Sequence, residues 1–198
     1  MSGYIIRPAS ACKFLLLNVF YLSLHSGCAV VEAPPPLAPG EFELRGKVSV
    51  ADGAQRFSAR IIWQYAPSGF AMELWGPLGQ GRVRLEGDSE ALAIVDAEGR
   101  IVRQGTPDAV MREQLGWTLP LAALANWARG VPTPDLPVEA EQFDAAGRLV
   151  SFTQLGWTIA CAGHQSVASA AGLRWLPAKV TARRSGYKVR MVVSQWRL

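Results

Sequence analysis

Three cysteines, Cys12, Cys28 and Cys161, and two histidines, His25 and His164, are the side chains of this 198-residue chain best suited to nucleophilic or metal chemistry. A nucleophile needs a neighbouring base, and structural or catalytic metals draw on clustered His and Cys. His164 stands in the stretch from Gly163 to Gly172, which is rich in Ala, Ser and Gly and reads as mobile surface. Gly76-Pro77-Leu78-Gly79-Gln80-Gly81 is glycine-rich, but its glycine order is not that of a phosphate loop. It also joins two strands, where a phosphate site needs a strand leading into a helix. Glu73 and Glu86 are isolated on wet faces and form no acid/base pair. The expectation is a non-enzymatic protein with no catalytic residue, no metal site and no cofactor. The net charge of +4 is not gathered into any Lys/Arg run, which argues against a nucleic-acid partner. With 49% hydrophobic and 18% charged residues the chain is not disordered, and its size allows about 70% of its surface to be buried without staples.

Cys28 is the cysteine whose surroundings assign it chemistry. Arg7 and Lys13 make a basic leader, and Phe14 to Leu24 is an apolar stretch of 11 residues, too short to span a bilayer and the right length for an export-signal core. Leu24-His25-Ser26-Gly27-Cys28 follows it and resembles a bacterial lipobox, with His25 departing from the usual aliphatic residue. The resemblance implies cleavage before Cys28, diacylglycerol on its sulfur and an acyl group on the new amine, since the thiolate is the good nucleophile at that position. Ala29 stands where an inner-membrane retention signal would carry Asp, and by that resemblance the protein is expected to travel on to the outer membrane of a Gram-negative cell. Cys12 precedes the apolar core and leaves with the signal. Cys161 then has no partner for an intramolecular disulfide. Loss of Arg7 and Lys13 lowers the net charge from +4 to +2.

The expected organisation is a signal peptide at 1–27, a lipidated Pro-rich tether at 28–40 and one domain at 41–198. Four prolines in the nine residues Glu32 to Gly40 make the tether stiff and extended. In the domain, Phe42, Leu44, Gly46, Val48 and Val50 alternate with polar residues, as do Phe57, Ala59, Ile61, Trp63 and Tyr65, then Phe70, Met72 and Leu74. Further strands are expected over 82–86, 91–95, 100–104, 148–154, 157–162, 178–184 and 187–196, separated by turns such as Gly87-Asp88 and Ser185-Gly186. So many antiparallel strands curl into a closed or half-closed barrel or a sandwich. Thr106-Pro107-Asp108 starts a helix with a hydroxyl cap that runs to about Leu115. Thr118-Leu119-Pro120 starts a second, with Leu121, Leu124 and Trp127 on one face and a stop at Gly130. A helix pair inserted into such a sheet makes a plug or lid.

Trp75-Gly76-Pro77-Leu78-Gly79, the Leu119-Pro120-Leu121…Leu124…Trp127…Gly130 helix with Pro132, Gln154-Leu155-Gly156-Trp157-Thr158-Ile159, Leu176-Pro177 and the closing Ser194-Gln195-Trp196-Arg197-Leu198 together resemble the LolB family of outer-membrane lipoprotein receptors, over about Phe42 to Leu198. The resemblance implies a mainly β fold: an incomplete antiparallel barrel of ten to eleven strands with a helical lid over an apolar cavity. It implies a monomer that takes acylated lipoproteins from the periplasmic carrier LolA and releases them into outer-membrane phospholipid. The candidate acyl-chain lining is Phe42, Leu44, Phe57, Ile61, Trp63, Phe70, Met72 and Leu74 from the strands and Trp117, Leu121, Leu124 and Trp127 from the helical segment. The same residues could equally fill a dry core. Trp75, Gly76, Pro77, Leu78 and Gly79 form a hairpin tip where a polar residue is usual, and the resemblance implies that Leu78 enters the membrane during release. Arg45, Lys47, Arg82, Arg84, Lys188 and Arg190 occupy wet strand faces, where they are either a solvated surface or a means of steering encounter with an acidic carrier surface or anionic lipid heads. Two other readings stay open at this point: a lipid-anchored binding module for another hydrophobic ligand, and an envelope enzyme built on His164 or an unpaired serine.

Overall fold

The computed structural model describes residues 37–53 and 56–198. The expected export signal, Cys28 and most of the expected tether lie outside them.

The long strands follow the alternation closely, and the described residues form thirteen strands and two helices. They are β1 (Phe42–Asp52), β2 (Arg56–Ala66), β3 (Gly69–Trp75), β4 (Val83–Gly87), β5 (Leu92–Val95), β6 (Ile101–Gly105), α1 (Pro107–Leu115), α2 (Leu121–Ala128), β7 (Glu139–Phe143), β8 (Leu149–Gln154), β9 (Trp157–Ala162), β10 (Gln165–Ser169), β11 (Gly172–Leu176), β12 (Lys179–Arg184) and β13 (Tyr187–Arg197). Eleven of the strands form one antiparallel sheet in the order β6-β5-β4-β3-β2-β1-β13-β12-β9-β8-β7. It is open, with β6 and β7 as its two edges, and its first and last strands pair at the centre.

Residues facing each other across an antiparallel ladder share a face, so the register shows how the interior is built. Leu44, Trp63, Met72, Leu85 and Ile94 form one continuous row. Val50, Val189, Ala182, Ile159 and Phe152 form another. These rows carry the period-two pattern of the individual strands across the sheet, and most of their polar alternates face water, although Glu43 and Thr181 are buried. The register slips between Arg45 and Gly46, where a Cβ on Gly46 would stand 2.1 Å from the Val192 carbonyl oxygen. This bulge tightens the central pair as only glycine permits.

All neighbours being antiparallel, the loops divide between two ends. At the Asp52 end lie the turns β1–β2, β3–β4, β5–β6, β8–β9 and β12–β13. At the Phe42 end lie the β2–β3, β4–β5 and β7–β8 turns, the chain terminus and the exit from β9. The chain must then travel from edge strand β6 to the opposite edge β7, and residues 106–138 do so by crossing the concave face. Val110 and Met111 of α1 and Ala123, Ala125, Trp127 and Ala128 of α2 are buried against it.

Three expectations change. Thr106 precedes α1 but makes no side-chain capping bond; Pro107 at the first helical position starts the helix instead. The stretch beginning at Gly163 is not a mobile loop: β10 and β11 pair as a separate hairpin, inserted between the adjacent strands β9 and β12. Edge strand β7 is a strand that sequence patterning missed, because Glu139 to Phe143 are all exposed and show no alternation.

Candidate functional site

The concave face and the crossing helices do not fill the space between them. They leave a cavity of about 490 Å³, within the range of small-molecule sites. Of its 25 lining residues, Asp52 and Gln114 are polar and the rest are apolar. Phe57, Ile61, Trp63, Met72 and Leu74 line it from β2 and β3, and Trp117, Leu121, Leu124 and Trp127 from the helical crossing. Phe57 is 54% exposed and lies with Asp52 at the sheet end where the cavity reaches the surface. Met72, Met111 and Met191 add unbranched, adaptable side chains to three different sides.

Phe42, Leu44 and Phe70, expected in the lining, do not reach it. Phe42 and Leu44 are fully buried at the other end of β1, where aromatic packing closes the interior. The Phe42 ring lies 5.1 Å from Tyr65, 5.3 Å from Trp63 and 5.5 Å from Trp196, with the Arg129 guanidinium 5.8 Å from its own centroid. Alternation puts these residues on the correct face, but it does not say where along a strand the packing is solid. The lining residues it did not single out, such as Val48 and Val50, sit on that same face toward the Asp52 end. Others, Leu85, Leu92, Ile94, Val110 and Met111, come from short strands and from α1, where the period is carried by two or three residues.

One buried polar residue holds the lid. Gln154 is 1% exposed at the end of β8. Its Oε1 accepts hydrogen bonds from Trp127 Nε1 (2.9 Å) and the Thr133 backbone N–H (2.9 Å). Its Nε2 donates to the carbonyl oxygens of Thr133 (3.0 Å) and Leu136 (3.3 Å). A single amide thereby clasps α2 and the segment after it to the sheet, and its side chain satisfies groups that burial would otherwise strand. Arg129 Nε donates to the Ala125 carbonyl and its Nη2 to Asn126 Oδ1 (2.6 Å), folding back over the C-terminus of α2. Burial lowers the Arg129 pKa from its usual value.

The β3–β4 hairpin has the opposite character. Gly76 N–H bonds to the Gln80 carbonyl and Gly79 N–H to the Gly76 carbonyl, both at 2.9 Å, with Gly79 at φ +85°. Pro77 holds the first corner, so the next side chain is thrown outward. That side chain is Leu78, 91% exposed. At the base, the Arg82 guanidinium lies 5.4 Å from the centroid of the Trp75 ring and 3.6 Å from Glu73, which stiffens the stem beneath a bare apolar tip. Of the other basic strand residues, Arg45 pairs with Glu43 at 3.0 Å and Arg84 with Glu86 at 2.9 Å.

Cys161 is a buried free thiol whose pKa burial pushes up to about 11. His164 is part-buried, and its pKa is lowered by burial and by Arg148, with Asp144 opposing. Among the described residues no group of three or more His, Cys, Asp or Glu is arranged to hold a metal.

Residues 40–196 match the family model described as outer membrane lipoprotein LolB. An outer-membrane lipoprotein LolB of Chromohalobacter salexigens is 32% identical, the match covering 96% of this chain and 93% of that protein. The LolB of Cellvibrio japonicus is 26% identical over 87% of this chain and 90% of its own length. Among solved structures, a LolA superfamily protein from Nitrosomonas europaea superposes with a TM-score of 0.53 at 9% identity, covering 82% of this chain and 88% of that one. That last likeness is one of fold.

Proposed function

The chain belongs to the LolB family of outer-membrane lipoproteins, and from that membership and the apolar cavity we propose that it accepts acylated lipoproteins from the periplasmic carrier LolA and incorporates them into the outer membrane. The observation that carries this reading is the lining: 23 of 25 residues around an opening cavity are apolar. A lipoprotein carries long acyl chains, and at about 0.8 kcal/mol per methylene a single exposed chain costs on the order of 10 kcal/mol in water. Such cargo has to pass from one apolar enclosure to the next, and a cavity under a helical lid is the enclosure this chain offers. Nothing in transfer requires bond chemistry. Direction follows from relative affinity, from carrier to cavity and from cavity to bilayer.

In this reading Cys28 carries the S-diacylglycerol and N-acyl anchor that keeps the domain at the membrane. Leu78 supplies the second half of the job. Held outward on a stiff turn, it enters the bilayer beside the cavity mouth, which opens at the same end of the sheet. The test is to incubate a preformed carrier–lipoprotein complex with the full protein and with vesicles. Cargo should first co-purify with this chain and then float with lipid. Cargo that stays on the carrier would end the proposal.

A further inference from the structure

The β10–β11 hairpin stands apart from the main sheet and has two unlike faces. Val167 and Leu176 pack against the core. The opposite face carries Ser166, Ala168, Leu173 and Trp175, with Leu173 opposite Ala168 and Trp175 opposite Ser166. Leu173 is 74% exposed and Trp175 58%. Two large apolar side chains side by side on a hairpin are an interaction surface and not scattered surface residues.

Its position says what that surface meets. The hairpin leaves β9 at the Phe42 end of the sheet, opposite to Leu78. Trp196 Nε1 donates to the Pro177 carbonyl at 3.2 Å, just past β11, and the Trp196 ring lies 5.5 Å from Phe42, where the N-terminal segment enters the domain. The chain from Cys28 to Phe42 can reach no more than about 50 Å. A lipid at Cys28 therefore holds this end of the domain within about 50 Å of the bilayer. Arg148 places its guanidinium 5.5 Å from the centroid of the Trp175 ring, while Arg174, opposite Val167, lies on the hairpin's other face. Arg148 also pairs with Asp144 at 2.7 Å. A tryptophan with a basic neighbour is the composition of a membrane-interface anchor.

We infer that the Leu173–Trp175 face of the β10–β11 hairpin seats in the interfacial layer of the phospholipid bilayer, as a second membrane contact distinct from Leu78. This rests on the lipid-anchored reading of Cys28. It assigns two orientations to the domain. With the hairpin seated, the cavity mouth faces away from the membrane, toward incoming cargo. With Leu78 seated, the mouth faces the lipid.

The test uses the full acylated protein reconstituted in phosphatidylethanolamine/phosphatidylglycerol vesicles. An Ala170→Cys change at the hairpin tip accepts an environment-sensitive fluorophore, since Cys28 is blocked by lipid and Cys161 is buried; Glu98→Cys in the β5–β6 turn reports the other end. The inference predicts blue-shifted emission at position 170, at least twofold stronger quenching by brominated lipid than at 98, and loss of that difference when Leu173→Glu and Trp175→Glu are combined. Protein that floats with vesicles while both labels stay equally aqueous would overturn it. A response at 170 to the carrier and none to vesicles would give the face to a protein partner and overturn it too. Protein that fails to float at all would overturn the anchor reading first and this inference with it.

Discussion

Replacing Gln154 with leucine keeps the volume at the end of β8 and removes every hydrogen bond of the clasp. Trp127 Nε1–H and the Thr133 N–H then face an apolar side chain, as do the Thr133 and Leu136 carbonyls. A buried polar group left without a partner costs about 1–3 kcal/mol, so the two stranded donors alone give roughly 3 kcal/mol. That is a large part of a domain's net stability of about 5–15 kcal/mol. With a urea slope of roughly 2 kcal/mol/M, the unfolding midpoint should fall by about 1.5 M. The loss should also be local: amides of α2 and the segment to Leu136 should exchange with deuterium faster than those of β1 and β13. A midpoint within about 0.25 M of the parent, or exchange that quickens evenly across the sheet, would refute the idea that this amide holds the lid.

Leu78→Glu should leave acceptance of cargo from the carrier within about twofold while cutting incorporation into vesicles by tenfold or more, because a leucine worth about 1.5–3 kcal/mol on burial is exchanged for a charge; lost acceptance with normal incorporation would contradict the loop's assignment. Gly46→Ala should cost about 1–3 kcal/mol, since the added carbon meets the Val192 carbonyl at 2.1 Å, and should lower Tm by several degrees; an unchanged Tm would mean that the bulge yields freely. Cys161, with its pKa pushed up to about 11, holds roughly one thiolate per thousand at pH 8, so a thiol reagent should modify the native domain only as it unfolds. The shift also has a sign for stability. The unfolded thiol ionises first, so Cys161 costs nothing below about pH 9 and stability falls as pH rises from there toward 11, a dependence that Cys161→Ala should flatten.

The long strands were legible because their alternation is long. β1, β2 and β13 each run for eleven residues, and their apolar positions predict the inner face correctly. Where the cavity lies along that face was not legible. Phe42 and Val48 obey the same period, and what separates a closed end from a cavity wall is the convergence of Tyr65, Trp63 and Trp196 on Phe42, which comes from three strands at once. Gln154 stood in plain view beside Trp157, yet a lone glutamine carries no signal until the sheet places it beneath Trp127. The β10–β11 hairpin escaped notice for the opposite reason. Its small polar residues resemble a loop, and its pairing is not with the strands that flank it in the main sheet.

The central claim, that the cavity holds the acyl chains of cargo, is tested most directly by photocrosslinking from inside it. A benzophenone amino acid at Leu124, in the cavity wall, and another at Glu139, on the exposed edge strand, are irradiated after the carrier–lipoprotein complex is added. The account predicts a crosslink to cargo from Leu124 alone, and its loss when the cargo is unacylated. Crosslinking from Leu124 that is absent, or equally strong with unacylated cargo, would contradict it.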